Sequence, residues 1–145
     1  MTVPTNGGRV SRITIADFVE RTQRTTPLSV MLGLQVERLE HGFASVRLPF
    51  RGDFVRAGGT IAGPLQMALA DYALYGAIMT VAEHGEGAVT SNLNVTFLRR
   101  PPQADIIAEA RIIRPGRRLI YGEVMIYSDG QPEPVAHATG TYALP

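Results

Sequence analysis

The chain has 145 residues, 45% hydrophobic and 19% charged, which suits one globular domain with a sizeable core and excludes a disordered chain. A net charge of +1 gives no electrostatic footprint for nucleic acid, and the absence of cysteine excludes disulfides, a thiol nucleophile and thiolate metal sites. No run of 18 apolar residues occurs and the opening MTVPTNGGRVSR has no apolar signal region, so the expectation is a cytoplasmic protein without a membrane partner.

Residues 1–12 are expected to be a loose tail ahead of a single domain over 13–145. Residues 13–25 read as a short amphipathic helix, with Thr14 as N-cap and Ile15, Phe18 and Val19 on one face. Pro27 opens a second short helical turn through Leu32, which Gly33 ends. Residues 34–40 and 43–49, joined at His41-Gly42, predict a hairpin. In its second arm Ala44, Val46 and Leu48 alternate with Ser45 and Arg47.

A loop carrying Gly52, Gly58 and Gly59 precedes a long helix predicted from about Gly63 to about His84. The run LQMALADYALYGAIMTVA is apolar almost all round, the pattern of a buried helix. At a rise of ~1.5 Å per residue it spans roughly 30 Å, the width of a small domain. The remainder reads as sheet: 88–100, 104–114, 118–128 and 134–144, with turns at Pro115-Gly116 and Asp129-Gly130. In the first of these strands Val89, Leu93, Val95 and Phe97 are expected to point into the subunit. Thr90, Asn92, Asn94 and Thr96 then face the other way, towards a subunit seam. One buried helix with successive antiparallel strands is an α+β layout in which a curved sheet wraps the helix.

The segment GGTIAGPLQMALAD (58–71) carries the chemistry. A glycine-rich loop in front of a helix N-terminus offers amide donors to an anion or a developing oxyanion. Two turns into that helix stands a lone carboxylate, Asp71. Keeping a charge in an apolar helix costs several kcal/mol in order of magnitude, so Asp71 is either paired or employed. Amides to polarise a carbonyl, with a carboxylate as base or nucleophile, point to acyl transfer.

GGTIAGPLQMALADYALYGAI followed by AVTSNLNVTFLRRPP resembles the hotdog-fold thioesterases. The resemblance is to the acyl-CoA thioesterase branch that includes the phenylacetic-acid-pathway enzymes, and it covers roughly residues 27–143. It implies a hotdog fold, hydrolysis of an acyl-CoA, and a site shared across a homodimer, with dimers of dimers common. Relatives begin the helix with His-Gly-Gly and carry an acid nine residues after the His. Those places are held here by Ala62, Gly63, Pro64 and Asp71. Gly63 then matches the amide that polarises the thioester carbonyl, and Asp71 the catalytic acid. Thr90 matches a Ser or Thr that helps hold water or substrate, contributed from the neighbouring chain. Two departures stand out: Ala62 cannot hydrogen-bond through its side chain, and Arg56 replaces a family Asn. That arginine is expected to bind a substrate carboxylate, to pair with Asp71 or to favour the ionised form of that acid.

Further substrate contacts are assigned to Gly59, Asn94, Arg99, Arg100 and Arg117; the arginines have the fork geometry that suits CoA phosphates. CoA is part of the substrate, so no cofactor is expected. His41, His84 and His137 lack the spacing of a metal site. Two other readings compete. A non-catalytic acyl-CoA or aromatic-ligand binder is favoured by the missing His and disfavoured by the retained acid. A hotdog dehydratase needs a His that does not occur between residues 42 and 83. No G-x-S-x-G elbow is present.

Overall fold

The structure, a computed structural model, describes residues 8–145. Most of the expected tail, residues 1–7, lies outside the described residues. The chain is already fixed at Ser11 and Arg12, earlier than expected. Ser11 Oγ donates to the Ile13 carbonyl at 2.6 Å, and the Arg12 N–H donates to the Thr80 carbonyl at 2.9 Å.

Helix α1 runs Ile15–Thr25 and is capped by Thr14, whose side chain accepts the Asp17 N–H. Phe18 is its main core residue; Ile15 stays 38% exposed. Helix α2, Pro27–Leu32, ends at Gly33, whose φ of 71° is the left-handed conformation that glycine adopts without strain. Strands β1 (Gln35–Glu40) and β2 (Phe43–Leu48) form the expected hairpin.

Helix α3 is Gly63–Met79, shorter than the predicted span. Thr80 stops it: its Oγ1 donates back to the Ala77 carbonyl at 2.6 Å and accepts the Gly42 N–H at 2.8 Å. A side chain that satisfies both a terminal carbonyl and a turn amide makes further helix unnecessary. Strands β3 (Val89–Phe97), β4 (Ile106–Pro115), β5 (Leu119–Ser128) and β6 (Pro134–Ala143) follow.

The six strands form one antiparallel sheet in the order β1-β2-β4-β5-β6-β3. They do not follow one another as a simple succession. β4 leaves β3 to pair with β2, so β3 lies at the far edge beside β6. The sheet curls around α3. Leu74 reaches so close to β5 and β6 that a Cβ at Gly122 or Gly140 would lie 2.6 Å from it. Two glycines therefore let the helix nest into the sheet. Leu69, Ala73, Leu74, Ala77 and Ile78 are fully buried there.

At one end of the sheet Arg47 ties three elements together. Its guanidinium lies 3.0 Å from carboxylate oxygens of Glu37, Asp105 and Asp129. Asp105 also accepts the Phe50 N–H at 2.7 Å. No helix among the described residues is long and apolar enough to cross a membrane.

Candidate active site

The catalytic candidates occupy two separate cavities. The first surrounds the start of α3. Ala62, extended at φ −62° and ψ 137°, delivers the chain into the helix, so Gly63 is its first residue and Pro64, with no N–H to satisfy, its second. Among the described residues the Gly63 N–H has no acceptor, which leaves it and the helix dipole available to an anionic oxygen. A cavity of about 440 Å³ opens there, with Arg56, Thr60, Gly63, Phe97 and Arg100 in its wall. The Phe97 ring packs so tightly that a Cβ at Gly63 would lie 3.2 Å from it. Gln66, 3% exposed, donates weakly to the Ile61 carbonyl at 3.4 Å, while its buried Oε1 has no partner.

The second cavity, about 370 Å³ and mainly apolar, contains Asp71. Asp71 is half-buried, and one of its oxygens is held from two sides. Thr90 Oγ1 donates to Oδ1 at 2.9 Å and Tyr142 Oη donates to the same atom at 2.5 Å. Tyr142 is 4% exposed. Burial, and then the neighbouring Asp71 charge, raise its pKa far above the usual phenol range, so it remains a donor. Two donors on Oδ1 fix the carboxylate plane and leave Oδ2 to act on a ligand. Tyr142 escaped the sequence reading. It is one aromatic in an alternating strand, 71 positions from its partner.

Thr90 reaches Asp71 of its own chain. The cause is a bulge in β3 between Thr90 and Asn92, where the register against β6 slips by one residue. The slip turns Thr90 towards the helix, opposite Tyr142, and puts Val89 outside, 62% exposed. Leu93 and Val95 pack on the core as expected, while Phe97 stays 49% exposed beside Gly63. Asn94 pairs with Thr139 on the outer face and lies in neither cavity.

The remaining assignments divide. Arg56 lines the Gly63 cavity and forms no ion pair with Asp71, whose carboxylate partners are Thr90 and Tyr142. Ala62 and Arg100 line the same cavity. Arg99 does too, but it is engaged: Nε lies 3.1 Å from Glu133 and Nη1 donates to the Pro134 carbonyl at 2.7 Å. Gly59, at φ 78°, shapes the loop, and its carbonyl accepts from Gln103 at 3.2 Å. Arg117 is exposed in the β4–β5 turn and lines neither cavity. Among the described residues no group of three His, Asp or Glu side chains is placed to hold a metal ion.

A curved antiparallel sheet around a long helix, with an open amide at the helix start and a carboxylate two turns on, defines a hotdog-fold protein. The sequence model of the thioesterase superfamily matches residues 58–135, and the chain belongs to that superfamily, a family of hydrolases. A Saccharolobus solfataricus protein named as a candidate esterase is 30% identical over 113 residues, 78% of this chain and 74% of that protein. The solved structure of a candidate thioesterase from Silicibacter sp. TM1040 superposes with a TM-score of 0.83 at 26% identity, covering 99% of each chain. A mutant form of the phenylacetic acid degradation protein PaaI from Thermus thermophilus superposes with a TM-score of 0.70 at 30% identity. It covers 81% of this chain and 97% of that one.

Proposed function

We propose that the protein hydrolyses an acyl-CoA thioester to the free acid and CoA, at a site made by two copies of the chain. The observation that carries this reading is the separation of Gly63 from Asp71. Eight residues of helix at ~1.5 Å each set them about 12 Å apart, too far for one thioester carbonyl to meet both. They also line different cavities. Each chain therefore supplies two unlike halves.

The free edge of β3 brings the halves together. Antiparallel pairing of β3 with its mate covers the exposed edge and sets the Thr90 end of one strand beside the Phe97 end of the other. Phe97 lies against Gly63 and Thr90 against Asp71. The carboxylate half of one subunit thus meets the amide half of its partner.

In the reaction, Asp71 Oδ2 takes a proton from water as the hydroxide oxygen bonds to the thioester carbon. The carbonyl electron pair moves to oxygen, and the resulting oxyanion rests against the partner's open helix N-terminus. Collapse restores the carbonyl and breaks the carbon–sulfur bond. The CoA thiolate leaves and takes up the proton held by Asp71. The reaction as drawn needs no cofactor, since CoA arrives as part of the substrate. Arg56 and Arg100, at the mouth of the amide half, attract the CoA phosphates.

The test is thiol release from short, medium, long-chain and aromatic acyl-CoAs, with calorimetry on the same compounds. Release from at least one class supports hydrolysis. Tight binding with no release from any of them overturns it in favour of a binding protein.

A further inference from the structure

We infer that Tyr72 sets the length of acyl chain this site accepts, by walling the Asp71 cavity off from a smaller neighbouring one. The inference rests on the acyl-CoA reading above, because the acyl group must lie in the cavity that holds the carboxylate. At about 370 Å³ that cavity is near the lower end of small-molecule sites, which run from ~300 to ~1,000 Å³.

A second cavity of about 190 Å³ lies between α1 and α2, with Val19, Thr22 and Val30 in its wall. The two cavities share three wall residues: Ser29, Leu34 and Tyr72. Tyr72 is the largest of these and is held at both ends of its side chain. Its hydroxyl lies 2.8 Å from the Thr22 Oγ1 and its ring packs on Phe18 with centroids 5.3 Å apart. The side chain is 8% exposed. Swinging it aside breaks a buried hydrogen bond and an aromatic contact together, so a bound chain meets a wall, not a gate. Deleting the ring joins the two spaces.

The substrate class that follows is an apolar acyl group of limited length. Each methylene that finds apolar wall improves capture about fourfold, and each one beyond the wall gains nothing or clashes. Chain-length profiles should therefore rise and then break.

The experiment measures kcat/KM for a ladder of straight-chain acyl-CoAs from butyryl to palmitoyl. For the wild type a break within the ladder is expected. Tyr72→Phe keeps the ring and should keep the break, whereas Tyr72→Ala should move it several carbons longer. Should Tyr72→Ala fail to fold by circular dichroism, Leu34→Ala opens the same partition and should move the break in the same direction. A wild type that accepts palmitoyl as readily as the medium chains overturns the inference. So does a break that stays in place in the folded alanine variant. A wild type that releases no thiol from any member overturns the hydrolase reading instead. Dissociation constants for the same ladder by calorimetry then test the length limit, which falls if affinity shows no break.

Discussion

Tyr142 Oη lies 2.5 Å from Asp71 Oδ1, closer than any other side-chain partner of that carboxylate. A neutral donor to a carboxylate makes a strong bond, worth roughly 1.5–3 kcal/mol. Because burial keeps Tyr142 protonated, it fixes the carboxylate across the neutral range without competing for the proton. Tyr142→Phe removes the hydroxyl and keeps the ring stacked on Tyr75. The expected result is a fall in kcat of roughly ten- to a hundredfold with little change in KM. An unchanged kcat denies Tyr142 its positioning role.

Asp71→Asn keeps the shape of the side chain and removes the base. Thioester hydrolysis should drop by at least ~10²-fold while the circular dichroism spectrum is retained. A single turnover in ¹⁸O-labelled water tests for direct attack by Asp71. With Asp71 as base the label enters only the product acid; label in the Asp71 carboxylate shows that it attacked directly.

A site assembled from two chains makes dead variants complementary. Gly63→Pro deletes the amide donor, at a position whose preceding residue is already extended, and Asp71→Asn deletes the base. Each alone should be inactive. Unfolded, mixed in equal amounts and refolded, they should recover about a quarter of wild-type activity: half the dimers are mixed, and each has one intact site of two. No recovery, with mixed dimers present by native mass spectrometry, places both groups in one chain's site.

Arg56 and Arg100 flank the amide half and are exposed. Replacing both with alanine should raise KM for an acyl-CoA about tenfold at low salt, and much less in high salt. The same acyl group on N-acetylcysteamine, which has no phosphates, should show no change. Equal losses on both substrates assign the arginines to structure.

Asp105 has its pKa held below the usual 3.8, first by the Phe50 N–H and then by Arg47. The folded state thus favours the carboxylate, and the unfolded chain binds more protons at acidic pH. The associated stability is present above pH 3.8 and is lost as pH falls through the depressed folded value. Asp105→Asn should lower the melting temperature at neutral pH and flatten its decline in acid. A decline as steep as in the wild type rules this contact out.

Much of this was open to reading along the chain because it depends on local chemistry. Thr14 caps a helix, Gly33 ends one, Gly42 turns a hairpin, and Asp71 interrupts an apolar helix. The distance between Gly63 and Asp71 was also there to be counted, since a helix converts eight residues into about 12 Å. That count alone argues against a complete site in one chain. Other features had no local signal. The face that Thr90 presents depends on a bulge against β6, and a one-residue slip reverses every side chain before it. Arg56 and Asp71 are fifteen positions apart, yet they fall in different cavities because the loop and helix between them point their side chains apart.

Hydrophobic period and motif spacing are properties of neighbouring residues, so the long helix, the strands and the family were legible along the chain. The partners that Asp71, Gly63 and Tyr72 meet were not. Tyr142 finds Asp71 across 71 positions, Phe97 covers Gly63, and Tyr72 stands between two cavities. The first two contacts exist because the sheet curls around α3 and carries β3 to its far edge, and the third because α1 packs on α3. No pattern along the chain encodes that closure.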